Sequence, residues 1–227
     1  ALRIYEAGIR RILDAFAAAA QRADRIGFDA MELHGAHGYL LHAFLSPVAN
    51  RRTDRYGGSL ENRMRFALEV FDAVRAVWPE RKPLGMRVSA TDWVEGGFDL
   101  DQCLVFARAL KASGCDWIDV SSGGVAYNQK IPLGPGYQVP LAKAIRAETR
   151  LPTISVGLIT DPMHAESIVA SGEADIVALA RGMLYDPRWV WHAAAALGGT
   201  VEAPVQYWRC PPKEAGRVFG DTKIGMR

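Results

Sequence analysis

Apolar residues along the chain recur with two periods in alternation, and this predicts helices and strands in turn. Ile9, Ile12, Leu13 and Phe16 recur at helical spacing in a segment that closes at Gly27, so a helix is predicted to open the chain. Five strands are predicted after it, at Phe28 to His34, Leu84 to Ser89, Trp117 to Ser121, Thr153 to Gly157 and Asp175 to Ala180. The helices that follow them are predicted at Leu60 to Trp78 with Ser59 as N-cap, Asp99 to Ser113, Pro140 to Glu148, Pro162 to Ser171 and Pro187 to Leu197. Such alternation is typical of a parallel sheet with right-handed crossovers.

Polar and apolar residues fall on opposite sides of these strands. The residues on the polar side are Glu32 and His34, Arg87 and Ser89, Asp119 and Ser121, and Ser155 and Gly157. Polar groups on a common face near the carboxyl ends of successive strands are typical of a (β/α)8 barrel whose site lies at its top. No G-x-G-x-x-G follows a strand, which counts against a dinucleotide-binding open sheet. We therefore predict an α/β fold of the TIM-barrel type, with about five βα units present where a complete barrel has eight.

Composition narrows the class of protein. The chain has 227 residues, 49% of them hydrophobic, and a net charge of +2, which predicts one sizeable core in one domain. The sequence has no dense cluster of Lys and Arg of the kind that binds nucleic acid, and no apolar run approaches the length of a membrane span. The start at Ala1-Leu2-Arg3-Ile4 does not resemble a signal peptide. A cytoplasmic protein is therefore expected. The three cysteines are scattered and predict neither disulfides nor a metal cluster.

The candidate chemistry is concentrated after the first strand. Glu32-Leu33-His34-Gly35-Ala36-His37-Gly38-Tyr39 places two imidazoles and a phenol on one short, glycine-rich loop. Imidazoles can donate hydrogen bonds to a carbonyl oxygen, and a phenol beside them can supply a proton. The pattern continues through Phe44-Leu45-Ser46-Pro47 and Asn50-Arg51-Arg52-Thr53-Asp54-Arg55-Tyr56-Gly57-Gly58-Ser59.

This long run resembles the active-site signature of the old yellow enzyme family, the FMN-dependent ene-reductases and NAD(P)H:flavin oxidoreductases. In that family the signature follows the fourth barrel strand, so the resemblance implies that the chain supplies the carboxyl-terminal two-thirds of the barrel. The implied domains are a partial FMN-binding barrel over residues 1–200 and a tail over 201–227 that contacts a neighbouring subunit. Pro204-Val205-Gln206-Tyr207-Trp208-Arg209 resembles the end of the thermophilic-like subclass.

The resemblance also implies roles for single residues. His34 and His37 match the pair that binds the substrate's carbonyl oxygen above the flavin, and Tyr39 matches the residue that protonates the α-carbon. Arg87 matches the arginine beside flavin N1 and the C2 oxygen, although a salt bridge to Glu32 or Asp119 is an alternative. Tyr39 has the alternative of merely lining the pocket.

The last two strands are expected to hold the FMN phosphate. Gly157 permits close backbone approach, Ala180 offers an amide, and Arg181 can bind phosphate through two hydrogen bonds, at the place where TIM barrels commonly bind phosphate. Arg209 matches an arginine that reaches a neighbouring subunit's substrate site, with a solvent-facing arginine as the alternative. A homo-oligomer is therefore expected.

The function implied is reduction of the activated C=C bond of α,β-unsaturated carbonyl compounds, with NAD(P)H as electron donor to FMN. Three alternatives stay open. The chain could be a catalytically incomplete partial barrel that needs a partner segment. It could be a phosphosugar isomerase or aldolase on the same fold, although no lysine lies at a strand end for Schiff-base chemistry. A zinc site at His34, His37 and His42 is weaker, since no carboxylate or thiol has matching spacing, and no metal is predicted.

Overall fold

The computed structural model describes residues 5–222. The sequence prediction about Ala1-Leu2-Arg3-Ile4, and the part of the predicted tail at 223–227, lie outside the described residues. The helices are α1 (Glu6–Arg25), α2 (Leu40–Leu45), α3 (Leu60–Arg75), α4 (Leu100–Ala112), α5 (Val139–Thr149), α6 (Pro162–Ala170), α7 (Arg181–Tyr185) and α8 (Trp189–Ala196), and the strands are β1 (Met31–Gly35), β2 (Leu84–Ser89), β3 (Trp117–Ser121), β4 (Thr153–Val156) and β5 (Ile176–Ala178). Two short 3-10 helices, Val205–Tyr207 and Lys213–Ala215, follow α8.

The strands form one five-stranded parallel sheet in the order β1-β2-β3-β4-β5. Because every strand pairs with the next one along the chain, the sheet is a consecutive series of βα units, as in a TIM barrel. The predicted fold class is confirmed. Among the described residues, β1 and β5 are the two edges of the sheet, and they do not pair with each other.

Helix starts follow the capping signals in the sequence. The Ser59 side chain accepts a hydrogen bond from the Asn62 amide at 3.3 Å, which confirms the predicted cap of α3. Asp99 caps α4 and Asp161 caps α6 in the same way, at 3.0 and 2.8 Å. These caps fix where the chain turns from the strand ends into the helices.

The core lies between the sheet and the helices on its outer side. Its largest fully buried side chains include Phe66 and Phe71 of α3 and Phe106 of α4, which lie on the same side as Met86 and Ile118 of the strands. The opposite face is the barrel interior. It carries Glu32 and His34, both exposed, and Ile176 of β5 is 51% exposed there.

The predicted orientation of β4 is wrong. Pairing of β3 with β4 places Asp119 opposite Ile154 and Val120 opposite Ser155. Residues paired across neighbouring strands point to the same face, so Ile154 faces the barrel interior and Ser155 faces the helices, where it is fully buried. The register of pairing with β3 determines which side chains of β4 face the barrel interior. The alternation of residues within β4 does not show this register.

The described residues after α8 pack back against that helix. The rings of Tyr207 and Phe219 contact Trp191 of α8, with centroids 5.3 and 5.0 Å away. Val218 is 3% exposed. The described part of the tail is therefore anchored on α8 by aromatic contacts, while its role as a subunit contact stays a prediction.

Candidate active site at the carboxyl ends of the strands

A strained turn directly after β1 carries the candidate catalytic residues. His37 and Gly38 both have positive φ, 59° and 74°, and the Tyr39 amide donates to the Ala36 carbonyl at 3.2 Å. Two successive positive φ values are typical of a type I′ turn, and a non-glycine residue such as His37 adopts this conformation only where contacts hold it. The His37 amide donates to Ser89 Oγ at 3.0 Å, and the Gly38 amide donates to Nδ1 of His42 at 2.8 Å.

The turn brings His34, His37 and Tyr39 together. The ring centroids of the two histidines are 5.3 Å apart, and the centroids of His34 and Tyr39 are 5.5 Å apart. Tyr39 is 66% exposed and His34 is exposed, whereas His37 is half-buried. Three groups able to donate a hydrogen bond or a proton therefore lie around one opening.

Both imidazoles are held neutral. Burial, followed by the nearby positive charge of Arg87, lowers the pKa of His37 to about 4. The same two causes lower the pKa of His34. A neutral imidazole carries one N–H donor and one acceptor, so its orientation depends on the partner of the other nitrogen.

Ser121 at the end of β3 is that partner for His37. Its Oγ lies 2.7 Å from His37 Nε2, and it also lies 3.4 Å from Oε1 of the buried Gln138. The serine hydroxyl has one hydrogen; when it donates to Nε2 at 2.7 Å and not to Gln138 Oε1 at 3.4 Å, the proton of His37 lies on Nδ1, where it is free to donate to a bound molecule. The sequence placed Ser121 on the polar side of its strand but gave no sign of this contact, which joins residues 84 positions apart.

Arg87 on β2 faces the barrel interior beside Asp119 on β3. The Nε atom of Arg87 lies 3.2 Å from Asp119 Oδ2, yet it makes no hydrogen bond within the described residues, so the pair is held by charge alone. Burial raises the pKa of Asp119 to about 6, although the arginine charge acts in the opposite direction. The sequence alternative of a salt bridge to Asp119 is therefore present, and the guanidinium still has unused donors.

A cavity of about 180 Å³ lies at the carboxyl ends of β2 to β5. Of the predicted site residues, it is lined by His37, Arg87, Gly157, Ala180 and Arg181. The Arg181 side chain is exposed and makes no hydrogen bond or ion pair with the residues that the structure describes. Because the lining includes both guanidinium groups, the cavity favours an anionic ligand.

Gly157 is required where it lies for reasons of space and backbone angle. It has φ +135°, and a Cβ atom there would come within 3.0 Å of Tyr137 Cε1 and 3.1 Å of Gln138 Nε2. Ala180 and Arg181 lie at the start of α7 and not at the end of β5 as predicted, because β5 ends at Ala178. The short α7 begins at the cavity, so both residues still line it.

Four of the residues singled out in the sequence do not line this cavity: His34, Tyr39, Arg209 and His42. Arg209 is exposed in the tail and does not line it, and its proposed contact with a neighbouring subunit remains a prediction. His42 is fully buried with both ring nitrogens engaged, Nδ1 by the Gly38 amide and Nε2 by Asp92 Oδ1 at 2.9 Å, so it is not available to join His34 and His37 around zinc. Among residues 5–222, no cluster of three or more potential metal ligands is present.

None of the helices in this range is both long and apolar enough to cross a membrane.

Comparisons with known proteins agree with this arrangement. A model of the NADH:flavin oxidoreductase / NADH oxidase family matches residues 3–198. The NADPH dehydrogenase of Geobacillus sp. (strain WCH70) is 50% identical over 204 residues, which cover 90% of this chain and 59% of that protein. The NADPH dehydrogenase of Bacillus subtilis (strain 168) is 45% identical over 201 residues, 88% of this chain and 59% of that protein. The chain thus spans about three-fifths of the length of these relatives.

Solved structures show the same similarity. Morphinone reductase in complex with tetrahydroNAD matches with a TM-score of 0.68 and 30% identity, over 93% of this chain and 53% of that one. A 2-naphthoyl-CoA reductase complex matches with a TM-score of 0.76 and 29% identity, over 85% of this chain and 30% of that one. These matches confirm the resemblance predicted from the signature segment and, at the level of the family, the prediction of FMN and NADPH as cofactors.

Proposed function

This chain belongs to the NADH:flavin oxidoreductase / NADH oxidase family, and on that premise we propose that it forms the catalytic part of an FMN-dependent reductase of α,β-unsaturated carbonyl compounds. The net reaction adds one hydride from NAD(P)H and one proton to the C=C bond, which becomes a single bond. When bound, FMN supplies the hydride transfer between the nicotinamide and the alkene. The protein supplies binding, orientation and the proton.

The residues around the cavity fit FMN. Arg87 has unused guanidinium donors beside the strand ends, which suits the oxygen-rich edge of a flavin ring. Arg181 is exposed at the same cavity, where its planar guanidinium suits a phosphate group. Gly157 also lines the cavity, and a side chain there would collide with Tyr137 and Gln138. We therefore propose Arg87, Gly157, Ala180 and Arg181 as the FMN-binding residues.

The observation that carries the proposal is the pair of neutral histidines beside this cavity. Their ring centroids lie 5.3 Å apart, and His37 also lines the cavity. Two N–H donors directed at one carbonyl oxygen would stabilise the negative charge that develops there when hydride reaches the β-carbon. We propose this role for His34 and His37 as catalytic and substrate-binding residues.

Tyr39 is the proposed proton donor to the α-carbon. Its ring lies beside His34 with 5.5 Å between centroids, on the exposed side of the turn. A phenol O–H can act as a general acid. Replacement by Phe should lower alkene reduction while oxidation of the nicotinamide by flavin continues.

Alanine substitutions test the histidine assignment. Loss of one oxyanion donor costs about 10²-fold in rate, so His34→Ala and His37→Ala should each lower alkene reduction by roughly that factor with FMN still bound. His192→Ala removes an exposed histidine on α8 that contacts Asp186 and serves as the matched control. Unchanged turnover in both variants, with full flavin content, would exclude this function for the pair.

We further propose that residues 1–200 form five of the eight units of the complete barrel, and that the tail at 201–227 contacts a neighbouring subunit. The unpaired edges of β1 and β5 support the first point. Arg209 would then reach the substrate site of the neighbour. Arg209→Ala should raise KM for the alkene without changing flavin content, and an unchanged KM would exclude Arg209 from the site.

A further inference from the structure

A fully buried polar network lies beneath the turn that carries the candidate catalytic residues. His42 of α2 and Asp92 after β2 are both 0% exposed, and their Nε2 and Oδ1 atoms are 2.9 Å apart. The other carboxylate oxygen, Oδ2, accepts from the Ser46 hydroxyl at 2.7 Å and from the Phe98 amide at 2.7 Å. All these contacts are made within the core and not at the opening of the cavity.

The network fixes the tautomer of His42. Nδ1 lies 2.8 Å from the Gly38 amide nitrogen, whose N–H can only donate, so Nδ1 must be the unprotonated nitrogen. The ring proton therefore lies on Nε2, where it is donated to Asp92. Asp92 in turn holds this orientation because Ser46 and Phe98 fix its carboxylate.

The acceptor at Nδ1 completes the hydrogen bonding of the turn. The three backbone amides at 37, 38 and 39 donate to Ser89 Oγ, His42 Nδ1 and the Ala36 carbonyl respectively. A left-handed conformation at a non-glycine residue such as His37 is energetically unfavourable, so the turn depends on such contacts. Without the bond to His42, the Gly38 amide would be the one donor of the three without a partner in this arrangement.

We propose that His42 is a positioning residue for the reaction: its neutral imidazole, oriented by Asp92, holds the Gly38 amide and thereby fixes the directions of His37 and Tyr39 on either side. The inference rests on the proposed function for the roles of those two side chains. It adds residues that do not line the cavity. The Asp92 carboxylate acts on the amide through the His42 imidazole, so the two side chains can be changed separately.

The substitution Asp92→Asn tests the tautomer directly. The oxygen of the new amide must remain where Ser46 and Phe98 donate, which leaves its NH2 group facing His42 Nε2. A donor at that place favours the tautomer with the proton on Nδ1, and this proton then opposes the Gly38 amide. We expect kcat and kcat/KM to fall together by about 10²-fold, because a small misplacement of reacting groups slows a reaction by about this factor. The FMN content should not change.

The matched control is Ser46→Ala. It removes a donor from the same carboxylate but leaves Asp92 charged and able to accept from His42, so the tautomer should persist. The thermal stability of both variants should fall, whereas only Asp92→Asn should change the protonated nitrogen of His42. Nitrogen-15 NMR of the uniformly labelled, FMN-loaded protein measures this, together with the exchange rate of the Gly38 amide.

A second pair of variants keeps the inference testable if Asp92→Asn does not fold. His42→Gln can present an amide oxygen to Gly38 and an NH2 group to Asp92, whereas His42→Leu can do neither. Partial retention of kcat in the first, with loss in the second, is expected. A proton on Nδ1 of His42 in the parent protein, or an unchanged Gly38 exchange rate in both Asp92→Asn and His42→Leu, would overturn the proposal. Both measurements are made without substrate, so missing alkene reduction in the parent protein would contradict only the proposed function.

Discussion

The Arg181 side chain offers a sharp test of where the phosphate of FMN binds. It is exposed at the cavity and has no hydrogen bond or ion pair with the described residues, so removing it breaks no contact that supports the fold. Arg181→Ala should therefore leave the free energy of unfolding within about 0.5 kcal/mol of the parent value. Any change in flavin affinity can then be assigned to the lost ligand contact.

The magnitude follows from the exposure of the group. Hydrogen bonds to charged groups contribute roughly 1.5–3 kcal/mol, and about 1.4 kcal/mol corresponds to a tenfold change in Kd. The exposed position of Arg181 places the effect toward the lower part of that range. We expect the Kd for FMN to rise roughly 10- to 50-fold. Riboflavin lacks the phosphate, so its Kd should not change.

Flavin titration monitored by fluorescence measures both ligands with parent and variant protein. Arg25→Ala, which removes the same charge from the last turn of α1, is the matched control for a general electrostatic effect. It does not line the cavity and should change neither Kd. Equal weakening of FMN and riboflavin in Arg181→Ala would refute the assignment, because the arginine would then act on the fold or the flavin ring and not on the phosphate.

Further predictions concern the backbone, the titrating groups and the sheet edges. Gly157→Ala should destabilise the fold by about 1–3 kcal/mol in urea unfolding, since φ is +135° and the new Cβ would lie 3.0 Å from Tyr137; an unchanged midpoint would contradict this. The pKa of His37 is lowered from 6.5 to about 4, so its contribution to stability is present above pH 6.5 and is lost as pH falls through 4. His37→Gln should flatten the change in the free energy of unfolding with pH over this range. The pKa of Asp119 is raised from 3.8 to about 6, so its contribution to stability is present below pH 3.8 and is lost as pH rises through 6. Asp119→Asn should remove this pH dependence of the free energy of unfolding. If the dependence persists in the variant, it belongs to another group. The 227-residue chain by itself should associate through the edges of β1 and β5, and a monodisperse monomer with stoichiometric FMN in sedimentation would contradict this.

Local sequence signals were sufficient for most of the fold. The bounds of β2 and β3 match their predictions residue for residue, because polar and apolar residues fall on opposite sides of each short strand. Ser59 was identified as a cap because its hydroxyl acts within three residues of itself. Helices α2 and α7 were missed, since six and five residues are too few to show helical periodicity.

Contacts between distant parts of the chain could not be predicted in this way. Ser155 was assigned to the wrong face because pairing with β3, and not the alternation within β4, sets its orientation. The bond between His37 and Ser121 spans 84 residues and the bond between His42 and Asp92 spans 50. Neither pair leaves a local pattern, although a histidine in an otherwise apolar helix such as α2 is a signal that a buried partner is needed.

Charge around the cavity is divided between two kinds of group. Arg87 and Arg181 carry fixed positive charge, and the raised pKa of Asp119 means that the negative charge beside Arg87 is partly lost near pH 6. His37, which lines the same cavity, stays neutral because burial and the charge of Arg87 lower its pKa to about 4. Arg87, which favours an anionic ligand, thus acts together with burial to keep the imidazole a neutral donor. A neutral donor can stabilise charge that develops during a reaction without attracting the anionic group of the cofactor to the wrong place.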